Sequence, residues 1–154
     1  MYLASQTAQK IRSQYPQYTA FALINTILTE HSIVVDLWPV HTEKFSGCLW
    51  NNAGVWTIMM NTKQHPRRKL FTITHELGHY FLHRHIKSQF NCTTLSAPTS
   101  ALEKQANAFA AELLMPAKQV QQYLQNKYQP PRTAQLLGVS ETALQYRLQH
   151  LRLE

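Results

Sequence analysis

Apolar positions along the chain recur with two different periods, and the points where the period changes divide it into elements. Residues 2–14 read as a polar helix, and from Thr19 to Glu30 the positions Phe21, Leu23, Ile24, Ile27 and Leu28 give a second helix one apolar face. Ile33-Val34-Val35-Asp36-Leu37-Trp38 is β-branched and aromatic and predicts a strand. Two further runs, Gly47–Trp50 and Val55–Met60, flank Asn51-Asn52-Ala53-Gly54, where Asn and Gly tolerate positive φ, so a hairpin is expected beside that strand. Pro66 is expected to close the following loop. From Lys69 to His83 the chain reads as an apolar helix, followed by a polar connection from Ser88 to Ser100 and another helix from Ala101 to Met115, stopped by Pro116. Residues 117–128 suggest one more helix. Pro130-Pro131 mark a boundary, after which Thr133–Leu137 and Ser140–Leu151 read as short helices around Gly138.

These elements define an α+β chain with three or more strands, a small mixed or antiparallel sheet beside a long apolar helix. Residues 1–129 are expected to form the main domain, and residues 130–154 a helix-turn-helix-like segment packed on it. At 154 residues there is room for one core and a small appendage. The 44% hydrophobic content is ample for that core. Residues 1–14 contain no apolar signal-type run, and no stretch nears the roughly 18 apolar residues of a membrane span, so a cytoplasmic protein without membrane contact is expected. Cys48 and Cys92 lack any C-x-x-C spacing and read as buried free thiols.

The formal charge of +7 arises from 15 Lys and Arg against 8 Asp and Glu, so it reflects scarce acids as much as abundant bases. The one dense basic cluster, Lys63, His65, Arg67, Arg68 and Lys69, reads as a solvated loop.

Acid scarcity sharpens the reading of His75-Glu76-Leu77-Gly78-His79. Two His four apart share a helix face and can reach one ion, while Glu76 beside them can take a proton from water, the pattern of a zinc hydrolase. Phe71, Ile73, Leu77, Tyr80, Phe81 and Leu82 make the helix apolar nearly all round, so three ionisable side chains would enter a core, which is costly unless they are paired or metal-bound. Such a site needs a third protein ligand. His85 follows His79 by six residues, but Leu82 stands where a helix-breaking Gly would turn it back, and about 100° per residue leaves it about 240° away. His83 lies about 40° from His79 but a turn further on, behind the ligands or in the core.

Downstream the only acids are Glu103, Glu112, Glu141 and Glu154. Glu103 and Glu112 are nine residues apart on one predicted helix and so face opposite ways. Glu103 carries Asn107 one turn on, whose amide can accept a hydrogen bond from a ligand histidine and set its tautomer. Glu112 has only Ala108 and Pro116 at those offsets and reads as a solvated position. Glu103 is therefore the expected third ligand.

Two blocks, Arg68–His83 and Glu103–Pro116, resemble the ImmA/IrrE metallopeptidases, with weaker likeness at Gly47, Ile58, Asn61 and Val139–Leu148. Thr74 departs from the family's usual small apolar residue without touching the ligands. The resemblance implies a zincin-like fold, Zn(2+) on His75, His79 and Glu103, Glu76 as general base, and cleavage of a helix-turn-helix transcriptional repressor. The hairpin's edge strand is expected to hold the peptide extended. Tyr80, His83 and His85 are the candidate oxyanion donors. A rival reading makes residues 130–154 a DNA-binding module with zinc structural or absent. Residues 142, 145, 146 and 149 would read bases, but six bases against four acids from Glu103 onward is thin for phosphate neutralisation.

Overall fold

A computed structural model describes residues 2–42, 45–92 and 100–153, without the side chains of Asn91 and Cys92. The Cys92 thiol and Glu154 lie outside the described residues. Among the described residues seven helices and four strands follow in the order α1 (Tyr2–Gln14), α2 (Ala20–Glu30), β1 (Val34–Trp38), β2 (Gly47–Asn52), β3 (Val55–Asn61), α3 (Pro66–His83), β4 (Gln89–Cys92), α4 (Ala101–Leu114), α5 (Ala117–Gln125), α6 (Pro130–Leu137) and α7 (Glu141–Leu151). The chain is thus mixed α+β, and no described helix is long and apolar enough to cross a membrane.

Local chemistry explains most boundaries. Thr19, Ser100 and Ser140 cap α2, α4 and α7, each hydroxyl accepting a backbone N–H from three residues on. The hairpin turns through Ala53 and Gly54, both at positive φ (50° and 91°), while Asn51 and Asn52 stay in the strand. Two successive residues at positive φ match the right-handed twist of the strands. The Asn51 side chain supports them by accepting the Gly54 N–H at 2.9 Å.

Two prolines expected as breaks are starts. Pro66 occupies the first turn of α3, three residues before the predicted onset, with His65 Nδ1 accepting the Arg67 N–H. Pro130 likewise opens α6. The first helical turn needs no donor from proline, and its φ is already helical. Arg67, Arg68 and Lys69, expected in a loop, are accordingly in the first turn of α3.

The sheet order is β1-β3-β2-β4, with β1 parallel to β3 and the other pairs antiparallel. β4 lies inside the segment read as a polar connection. Its four residues carry no periodic signal, and its strand geometry comes from pairing with β2, with Leu49 opposite Phe90. That pairing also corrects the expectation of a hairpin edge: both hairpin strands are interior, and the described sheet ends at β1 and β4. The buried residues Leu49 and Ile58 of the sheet, Leu77 of α3, and Phe109 and Leu113 of α4 join Leu23 and Ile27 of α2 in one core. α3 packs on β2, β3 and α4, and α1 packs on α4.

Candidate metal centre

One turn of α3 separates His75 from His79, and their Nε2 atoms lie 3.2 Å apart. α4 crosses beside them and brings Glu103 in: Oε2 is 3.1 Å from His75 Nε2, and Oε1 is 3.1 Å from His79 Nε2. Gly78 permits this crossing, since a Cβ there would stand 3.0 Å from the Ala106 Cα and 3.1 Å from its carbonyl oxygen.

Two imidazole nitrogens and a carboxylate, all within 4.8 Å of one another, form a donor set that could hold a metal ion. Tetrahedral bonds of about 2.0–2.1 Å to nitrogen and oxygen would put donor atoms about 3.3 Å apart, close to what these residues already adopt. Both histidines are buried, whereas 22% of the Glu103 side chain is exposed, so the cluster is reached from that side.

The surroundings set the ring orientations. Asn107 Oδ1 accepts from His75 Nδ1 at 2.7 Å. His83, buried and facing the cluster rather than solvent, contacts His79 through their Nδ1 atoms at 3.0 Å. Phe90 of β4 stacks on the His79 ring, with centroids 4.5 Å apart. Burial lowers the pKa of His79 and His83, which favours the neutral, ligating form of an imidazole. Burial acts on Glu103 in the opposite sense, but hydrogen bonds and charge from His75 and His79 outweigh it and hold the carboxyl far below its usual range.

Glu76 is fully buried, and neither carboxyl oxygen has a hydrogen-bond partner among the described residues. Burial pushes it up to about 8, the charges of His75 and Glu103 acting in opposite directions. It lies against β2, where an added Cβ at Gly47 would stand 3.7 Å from Glu76 Oε1, 2.8 Å from Thr72 Cγ2 and 2.9 Å from the Met59 carbonyl oxygen. The backbone oxygen has little room to yield. Gly47→Ala is therefore expected to destabilise the fold by about 1–3 kcal/mol, as overpacking does, and to disturb Glu76. Denaturant unfolding checks it, and unchanged stability would mean that β2 can move away from α3 at little cost. Cys48, the next residue, is a buried free thiol pushed up to about 11 by burial and by the Glu76 charge.

Other sequence candidates lie elsewhere. His85 is exposed in the turn after α3. Tyr80 is directed to His31, its hydroxyl 3.4 Å from Nδ1, with its ring edge-on to Trp56. Glu112, expected in solvent, is 5% exposed and paired with Arg147 of α7. Gln105 was missed by sequence reasoning. Its Oε1 is 2.9 Å from His83 Nε2, although at about 100° per residue it projects from the flank of α4 opposite Asn107.

Comparison with known proteins places this geometry in context. The sequence model of the M78 peptidases, described as the IrrE N-terminal-like domain, matches residues 29–149. The chain is 26% identical over 137 residues to a protein of Bacillus phage phi105 named uncharacterized immunity region protein 2, across 89% of this chain and 84% of that protein. It is also 31% identical over 81 residues to the metallopeptidase ImmA of Bacillus subtilis strain 168. That match covers 51% of this chain and 47% of ImmA, so it spans about half the length of that relative.

Proposed function

The chain belongs to the ImmA/IrrE family of M78 metallopeptidases, and on that premise we propose that it is a zinc-dependent endopeptidase with a zincin-like fold. His75, His79 and Glu103 hold the ion, and Glu76 is the general base. The observation that carries this reading is the convergence of three donor atoms at near-tetrahedral spacing beside a buried carboxylate without a hydrogen-bond partner among the described residues.

When bound, zinc would polarise the scissile carbonyl and acidify a water. Glu76 takes the proton of the attacking water on its carboxylate and returns it to the amide nitrogen as that becomes the leaving amine. Asn107 and His83 orient the two motif imidazoles. β4 is the sheet edge beside the cluster, with Phe90 against His79, and a peptide added there as a further strand would lie extended along the site.

The proposed substrate is a helix-turn-helix repressor in the cytoplasm. Support comes from the family resemblance and from the phage relative, whose name places it in an immunity region. Residues 130–154 are read as part of the peptidase unit rather than as a DNA-binding module. The family match runs through most of them, and Arg147, one of their few cations, is buried in an ion pair and unavailable to phosphate.

Two measurements test the proposal. Glu103→Ala is expected to weaken zinc binding by about tenfold or more, while His85→Ala leaves it unchanged; equal metal contents in the two variants would overturn the ligand assignment. Incubation with any helix-turn-helix repressor found encoded beside this gene, with and without chelator, is expected to show cleavage only when metal is present. Cleavage that survives metal removal, or sequence-specific duplex binding at physiological salt, would favour the rival reading.

A further inference from the structure

Behind His79, on the side away from Glu103, a chain of three side chains runs out of the cluster. His79 Nδ1 lies 3.0 Å from His83 Nδ1, and His83 Nε2 lies 2.9 Å from Gln105 Oε1. Each link contains one hydrogen, and a neutral imidazole carries one N–H and one lone pair, so the direction of one link dictates the next.

An amide oxygen can only accept. His83 must then donate from Nε2, which leaves its Nδ1 as a lone pair that accepts from His79 Nδ1–H. His79 is thereby left with its Nε2 lone pair facing Glu103 and His75, the form in which an imidazole ligates a metal; without an ion Glu103 Oε1, 3.1 Å away, draws a proton to that nitrogen, and the relay works against this pull. The opposite direction, with Gln105 donating, would protonate His79 Nε2 and close that position. Both rings are buried, which favours their neutral forms.

Asn107 does the same for His75 directly, its Oδ1 accepting from Nδ1 at 2.7 Å. One helix thus carries a ligand, Glu103, and on opposite flanks the two amides that set the tautomers of the other ligands. We propose that Gln105 is a positioning residue that acts through His83 to hold His79 in its ligating tautomer; the inference rests on the metal-centre reading above.

The test uses the full chain with 15N-labelled histidine. Imidazole NMR of the zinc-loaded wild type is expected to show His79 protonated at Nδ1 and His83 at Nε2. Gln105→Leu removes the acceptor from a half-buried position and is expected to shift a measurable fraction of His83 to the Nδ1–H form, which can no longer accept from His79. Zinc affinity, read by competition with a chromophoric chelator, should fall by about tenfold or more, within the range found when partners of ligand histidines are removed.

Gln105→Glu restores an accepting oxygen at the same place and should recover both readouts. Wild-type tautomers and affinity in Gln105→Leu would overturn the proposal, as would a Glu variant as impaired as the Leu variant, since that would show a role in packing alone. A wild-type chain that binds no zinc would instead overturn the metal-centre reading, and the relay with it.

Discussion

Glu76→Gln is expected to keep its metal and its fold and to lose peptide hydrolysis by about 100-fold or more, the usual contribution of a positioned general base. The substitution preserves shape in a site where the side chain is wholly enclosed. It removes only the capacity to take and return a proton. His79→Ala, by contrast, should lose metal and activity together. The pair separates proton transfer from ligation: zinc content by mass spectrometry distinguishes them, and normal cleavage by Glu76→Gln would show that another group moves the proton.

The same variant has a signature in the metal-free protein. Burial raises Glu76 from its ordinary value of 4.5 to about 8 in the folded chain, so between those values the folded state holds a proton that the unfolded state has released. Stability attributable to this group therefore falls as pH rises through that window and is level above about 8. In Glu76→Gln that loss is absent. Denaturation of metal-free protein across the window should show the variant gaining on the wild type as pH rises, and parallel curves would mean that the carboxyl is already ionised at low pH.

The elements that were legible in the chain are those whose signal is local. The hairpin announces itself through two β-rich runs around Asn51–Gly54, and α3 and α4 through apolar periodicity. The nearness of His75 to His79 follows from helical spacing alone. Glu103, which the structure brings beside both histidines, could be singled out by elimination because so few acids compete. What stayed hidden depends on how distant segments meet. β4 exists because β2 offers it a pairing edge. Gln105 reaches His83 only through the crossing of α3 and α4, and arithmetic on one helix pointed it away from Asn107 and the ligand face. Glu112 misled for the same reason. Its sequence neighbours are bland, and its partners come from three other helices.

Those partners make Glu112 the joint between the site-bearing helices and the C-terminal segment. Its Oε1 accepts from Gln9 Nε2 of α1 at 3.1 Å and from the Ala117 N–H at the start of α5 at 3.4 Å, while Oε2 pairs with Arg147 of α7. Arg147 Nε also donates to the Met115 carbonyl oxygen at 3.0 Å, closing the last turn of α4. Removing one partner leaves the other charge buried and uncompensated, which costs about 3–5 kcal/mol. Glu112→Ala and Arg147→Ala should therefore each lower the unfolding temperature by roughly 6–20 °C for a chain of this size. Replacing both with apolar residues of similar volume should recover much of the loss, because the desolvation cost disappears with the charges. Glu112→Ala should nevertheless bind zinc at low temperature, which separates it from Glu103→Ala. If Arg147→Ala melted like the wild type and bound duplex DNA more weakly, the arginine would be a phosphate contact and α7 a reading helix. The buried pair argues for the opposite result, loss of stability with DNA affinity weak throughout, because an arginine that is 8% exposed and already bonded to a carboxylate and a carbonyl does not present its charge to a phosphate.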